Sequence, residues 1–165
     1  MKSLPKEDPR GIAKPATTTK PVVVRPMIMV AAKANDLSLP SSTPTLISDW
    51  MITSDEHKMF DVVTGSCIVP ETGLYRINLC LFFYISEPTY KVGEILSTML
   101  YRNGVSVISS HQHTSGISNM HSVSFSRTFQ LTKGDTLQPY AVQYTTSAQR
   151  ISGSTMNNWF SIERV

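Results

Sequence analysis

The sequence predicts an all-β sandwich or jelly roll, and three observations carry that prediction. Short apolar runs recur between turn signals, and the run Leu74 to Ile85 alternates with a strict period of two. No stretch has the 3.6-residue apolar spacing of an amphipathic helix. A chain of 165 residues is the size of one ordinary domain and buries roughly two-thirds of the surface that its unfolded form exposes. One core is expected over residues 27–165, preceded by an extended arm over residues 1–26.

The arm stands out by charge and by proline. The formal charge of the chain is +3, yet residues 1–26 hold six basic and two acidic side chains, and the remainder nine basic and ten acidic. Five of the ten prolines fall in the same segment, a spacing that forbids helix and favours extended backbone. Such a segment is either a disordered tail or an arm that orders on a partner. In the second reading Lys6, Arg10, Lys14, Lys20 and Arg25 meet an acidic surface while Val22, Val23 and Val24 add a strand to it.

The body begins at Met27, where Met27 to Val30 reads as a strand buried on both faces. Ala34 to Pro44 reads as a loop by its Asn, Asp, Ser and Pro content, and Thr45 to Ile52 as one short strand containing Trp50, whose indole N–H needs a partner if buried. Ser54 to Lys58 is a polar turn. Phe60 to Ile85 then reads as two strands joined through Pro70-Glu71-Thr72-Gly73. On the second of these, Tyr75, Ile77, Leu79, Leu81, Phe83 and Ile85 form a core face. The opposite face begins with Arg76 and Asn78 but ends with Cys80, Phe82 and Tyr84, so it is covered either by a loop of the same subunit or by another subunit.

Ser86 to Glu94 is a loop, Ile95 to Tyr101 a strand, and Asn103-Gly104 the turn of a hairpin that returns through Val105 to Ser109. His111 to Met120 reads as a polar loop. From Ser122 the chain alternates, with Val123, Phe125, Phe129 and Leu131 on one face and Arg127 interrupting it. Lys133-Gly134-Asp135 turns into Thr136 to Thr145, where Pro139 points to an edge position or a bulge. A Ser/Thr-rich loop over Thr146 to Thr155 and a final strand over Trp159 to Val165 close the chain, for about eight strands in all.

Chemistry is sparse. There is no G-x-S-x-G elbow, no glycine-rich phosphate loop and no Cys-x-x-Cys, so no catalytic residue, cofactor or enzyme activity is expected. His111-x-His113 would put two imidazoles on one side of an extended segment, and the same pattern suits solvated loop histidines; no metal is assigned to it. Asp55, Glu56 and His57 read as a solvated turn. Cys67 and Cys80 sit in apolar runs and are expected to pack as free thiols. The N-terminus lacks a secretory pattern, and the longest apolar run is far short of the ~20 residues that span a bilayer. Synthesis in a reducing cytoplasm is therefore expected, with no membrane partner. The arm's charges are dispersed among prolines without aromatics, a poor design for nucleic acid.

Four motifs, in order, carry a family resemblance. Phe60-Asp61 with Thr64-Gly65, then Pro70 and Gly73-Leu74-Tyr75-Arg76-Ile77, is similar to an F-D-x-x-T-G, P, G-x-Y-x-[FI] pattern. Leu100 to Gly104 resembles L-x-x-N-G, Leu131 to Asp135 resembles L-x-x-G-D, and Trp159 to Ile162 resembles a closing F-S strand. This is the pattern of the jelly roll shared by the tumour necrosis factors and the complement heads, and it spans residues 27–165. The resemblance implies a ten-stranded jelly roll assembled as a homotrimer, with one sheet of each subunit packed on its neighbours and Phe82, Tyr84 and Trp159 in the interface.

Without a collagen-like stalk, signal peptide or anchor, the chain is closest in type to bacteriophage virion knobs and capsid decoration (cement) proteins. That implies a virion protein, made in the host cytoplasm, whose arm binds the major capsid protein or another virion protein. The alternative is the receptor-binding knob of a head or tail fibre, recognising a host-surface glycan or protein through loops 86–94, 111–120 and 146–155.

Overall fold

The computed structural model describes residues 27–32, 36–84, 90–146, 149–153 and 156–165, the first of these segments by its backbone. The proposed arm, residues 33–35, Ile85 and parts of the proposed loops 86–94 and 146–155 lie outside them. Among the described residues thirteen strands form two antiparallel sheets, and no helix occurs. The first sheet holds β1 (Met27–Ala32), β2 (Leu37–Leu39), β4 (Trp50–Asp55), β7 (Gly73–Tyr84), β10 (Met120–Leu131), β12 (Gln149–Ile151) and β13 (Trp159–Arg164). The second holds β3 (Thr45–Leu46), β5 (Phe60–Asp61), β6 (Ser66–Ile68), β8 (Ile95–Arg102), β9 (Val105–His113) and β11 (Thr136–Tyr144). This is the predicted jelly-roll sandwich.

β7 is the central strand of the first sheet. β10 pairs with it along all twelve residues on one flank, and β13 and β12 share the other. Its inward residues Tyr75, Ile77, Leu79, Leu81 and Phe83 are 0% exposed. They meet Leu96, Leu100, Leu137 and Ala141 of the second sheet in one core, each large side chain contributing about 1.5–3 kcal/mol of burial. The Tyr75 hydroxyl donates to the Glu71 carbonyl at 2.8 Å, so the buried phenol also holds the turn before its strand. Cys67 and Cys80 are both free and buried, as expected.

The turn motifs have physical causes. Asp61 accepts from the Val63 N–H (2.9 Å) and the Thr64 hydroxyl (2.9 Å), closing the β5–β6 hairpin. Gly65 follows at φ 63°, where an added Cβ would stand 3.2 Å from the Ile47 carbonyl. The L-x-x-N-G and L-x-x-G-D motifs are two halves of one cluster. Asp135 accepts from Asn103 Nδ2 (2.7 Å), from the Thr132 N–H (2.7 Å) and from Arg102 (2.6 Å), while Asn103 Oδ1 accepts from the Thr136 N–H (2.9 Å). Asn103 and Gly104 adopt the expected positive φ, 53° and 78°.

Several elements depart from expectation. Phe60 to Val69 is a tight hairpin and not one strand, because Asp61, Thr64 and Gly65 build a turn inside the apolar run. Thr45 to Ile52 is divided between the sheets: β3 pairs with β11, the chain crosses at Asp49 (φ 68°), and β4 pairs with β1. Buried Trp50 secures the crossing by donating to the Ile47 carbonyl at 2.7 Å. Leu37–Leu39 and Gln149–Ile151, read as loop, pair with each other at a sheet margin. β9 runs on to His113 because Ile95, Leu96 and Ser97 offer it partners. Pro139 lies in an interior strand; on the flank away from β8 its carbonyl accepts from the Ile47 N–H at 2.9 Å, and the Ile47 carbonyl, which a proline cannot serve, accepts from the Trp50 indole instead.

Burial pushes the Asp135 carboxyl up, but the hydrogen bonds from Thr132, Asn103 and Arg102 outweigh it and hold the group below its ordinary value. Its stabilisation is therefore present above the unfolded-state pKa and is lost as pH falls through the depressed folded-state value. Asp135→Ala is expected to lower unfolding free energy by about 2–3 kcal/mol in urea melts at neutral pH, and the gap to wild type to shrink in acid.

Candidate functional site

The outward face of the β7 sheet changes character along its length. At one end Arg76 lies between Glu163 and Thr128, and next to it Asn78 donates to the Ser161 hydroxyl at 3.0 Å. Farther along, Cys80 lies between Trp159 and Ser124, Phe82 opposite Ser122, and Tyr84 between Arg150 and Met120. The register thus brings Phe82, Tyr84 and Trp159 onto one face. Phe82 and Tyr84 are half-buried, and Trp159 is 41% exposed. Met51 and Met120, each 49% exposed, extend the apolar half and were not singled out from sequence. The sign available for Met51 was its place beside Trp50, since neighbours on a strand face opposite ways.

The loops before β8, after β9 and after β11 converge at one end of the sandwich. Glu94, a buried carboxylate, accepts from the Lys91 N–H (2.9 Å), the Thr146 N–H (2.8 Å) and the Thr146 hydroxyl (3.0 Å). The Thr114 hydroxyl donates to the Lys91 carbonyl, and the Tyr90 N–H to the Ser118 carbonyl at 3.1 Å. The Tyr90 ring meets His121 edge-on, with centroids 5.0 Å apart. Val92 and Ile117 are exposed on these loops.

Solved structures supply the fold. A crystal structure of murine APRIL at pH 5.0 superposes with a TM-score of 0.64 at 14% identity, covering 86% of this chain and 100% of that one. Another, at pH 8.0, gives 0.63 with the same identity and coverage. Eiger TNF from S. frugiperda gives 0.59 at 14% identity over 85% of this chain and 93% of that one. The chain has the tumour-necrosis-factor-like jelly-roll fold. No family model matches it. No curated protein matches it either.

In this TNF-like frame the remaining sequence candidates take definite places. His111 and His113 lie on strand β9, not in a loop, and face outward from the second sheet, away from the Phe82 face. His111 Nδ1 is 2.6 Å from the Ser97 hydroxyl. The Ser109 hydroxyl is 3.5 and 3.2 Å from its two ring nitrogens, so it straddles the ring edge instead of aligning with one lone pair. No group of three metal-ligating side chains occurs among the described residues. The Asp55 carboxylate is occupied by the Met59 and Phe60 N–H groups, both at 2.9 Å, and serves the turn. Lys6, Arg10, Lys14, Lys20, Val22, Val23, Val24 and Arg25 lie outside the described residues.

Burial raises the Glu94 carboxyl, but its hydrogen bonds from Thr146 and Lys91 prevail and set it below the ordinary value. Glu94→Ala is expected to free the loops from one another. Amide hydrogen exchange at Lys91 and Thr146 should accelerate about tenfold or more while the β7 amides keep their protection. Unchanged exchange at those two amides would show that Glu94 does not tie the loops.

Proposed function

We propose that this chain is a non-enzymatic structural protein of a bacteriophage particle. In this reading it is a homotrimeric jelly roll, made in the host cytoplasm, that decorates or cements the capsid. The observation that carries the assembly half of the reading is the meeting of Phe82, Tyr84 and Trp159 on one outward face, continued by Met51 and Met120. Monomeric proteins seldom leave such a contiguous apolar area to water, and a symmetric contact covers it in every subunit. The resemblance to tumour necrosis factors and complement heads implies a trimer in which one sheet of each subunit packs on its neighbours, and the Phe82 sheet is the candidate for that contact.

The attachment half rests on residues 1–26, with their six basic side chains and regular prolines ahead of a nearly neutral body. The partner is the major capsid protein or another virion protein with an acidic surface, and Lys6, Arg10, Lys14, Lys20, Val22, Val23, Val24 and Arg25 make the contact. Charge and a short strand are the two means available to such a segment.

The convergence of three loops at one end favours a second reading, a fibre knob that recognises a host-surface glycan or protein there. Exposed Val92 and Ile117 give that end apolar contact area. Purified knob would then compete with phage for adsorption to cells.

Two experiments separate the halves. Phe82→Glu should weaken trimer formation by at least about 2 kcal/mol in sedimentation equilibrium while the circular dichroism of the sheets is retained; an unaltered assembly would place the interface elsewhere. Removal of residues 1–26 should leave a folded trimer that no longer joins particles, and normal occupancy of the truncated protein on shells would overturn the attachment role.

A further inference from the structure

The outward face of the second sheet is poor in charge along its three longest strands. Across the eight residues of β8, nine of β9 and nine of β11 the one formally charged side chain is Arg102, at a strand end and bound to Asp135. In its place the face carries tyrosines. Tyr101 of β8 and Tyr140 of β11 are diagonal neighbours whose rings stack with centroids 4.2 Å apart and planes 33° apart. Beside that stack the register shifts between Leu100 and Tyr101, leaving Val107 as the extra residue of a bulge in the neighbouring β9. Four residues beyond Tyr140 on the same side of β11, Tyr144 is 49% exposed, about 14 Å away at the rise of an antiparallel strand. Ser109 and His113 line the β9 side of the face, opposite Met99 and Ile95.

The geometry points to a platform for an uncharged oligosaccharide along β11, from the Tyr101–Tyr140 stack to Tyr144. A pyranose offers a C–H face and a rim of hydroxyls. Tyrosine rings match the first at low entropic cost, and tyrosine, serine and imidazole groups match the second. The Tyr101–Tyr140 stack is already formed, so little ordering remains to be done when a ligand arrives. Charge selects the occupant: with no free cation on these three strands, a sialylated or sulfated glycan finds no counter-charge, and an uncharged chain needs none. The span from Tyr140 to Tyr144 suits several sugar rings in a row and not one monosaccharide. The platform lies on the sheet opposite the Phe82 face and does not depend on the proposed trimer; its Tyr144 end pairs with Ile95 and borders the loop end, while the Tyr101–Tyr140 stack lies farther along the strands.

The test uses the full chain on an array of short uncharged oligosaccharides of glucose, galactose, mannose and N-acetylglucosamine, alongside sialylated and sulfated glycans, with calorimetric titration of the best ligand. At least one uncharged oligosaccharide should bind, Tyr144→Ala should weaken it about tenfold, and Tyr144→Phe should retain most of the affinity. Val92→Ser at the loop end should leave it unchanged. The platform is overturned if no uncharged glycan binds, if only acidic glycans bind, or if Tyr144→Ala binds as wild type does. It is equally overturned if the face pairs with a second copy, seen as a concentration-dependent rise in assembly size that Tyr144→Ala abolishes.

Discussion

The inward row of β7, from Tyr75 to Phe83, is the constraint on which the rest of the molecule depends. Its five side chains are fully enclosed, and β10, β13 and β12 are hydrogen-bonded to its two flanks. A slip of one residue would put Arg76 and Asn78 into the core and Tyr75 and Ile77 into water, so the register admits no alternative. That same register decides what the other face displays. Phe82 and Tyr84 point outward because Leu81 and Phe83 point inward, and Trp159 joins them because Phe160 is in the core beside Leu79.

Around this strand the chain needs specific residues mainly where it turns. Asp61 and Gly65 close one hairpin, Asn103 and Asp135 hold two turns together, and the Tyr75 hydroxyl reaches back to Glu71. Each such position asks for a particular carboxylate, amide or positive φ, whereas core positions ask only for apolar volume. Similarity to murine APRIL and Eiger TNF is accordingly low along the chain, at 14%, while the folds superpose.

The legible parts of the fold were those in which local pattern and tertiary role agree. Strict alternation marked β7 and β10, Asn103-Gly104 marked the β8–β9 turn, and the run from Trp159 marked β13. Leu37–Leu39 and Gln149–Ile151 were not legible, since strands of three residues are held by each other and by β7 rather than by any periodicity of their own. Thr45 to Ile52 looked like one strand because nothing in its composition announces that Asp49 takes a positive φ and sends the chain to the other sheet. Phe82 and Tyr84 could be read as an unusual apolar face; Met51, Met120 and the Tyr101–Tyr140 stack could not, because pairings between distant strands bring them to their neighbours.

The sandwich therefore presents two unlike outward faces: an apolar half-sheet around Phe82 suited to self-association, and an uncharged tyrosine-bearing sheet suited to a soluble partner. The segment ahead of β1 is the basic part of the sequence, with six basic and two acidic side chains, and the proposed attachment uses that charge. In the proposed role the first face assembles the knob, the segment attaches it and the second face presents a surface. For the proposed virion role, the most direct measurement is an averaged image, at moderate resolution, of a phage particle that carries this protein. Threefold-symmetric knobs of this size on the head surface are the expected result, and knobs confined to the tail tip, or single unassembled domains on the shell, would contradict the proposal.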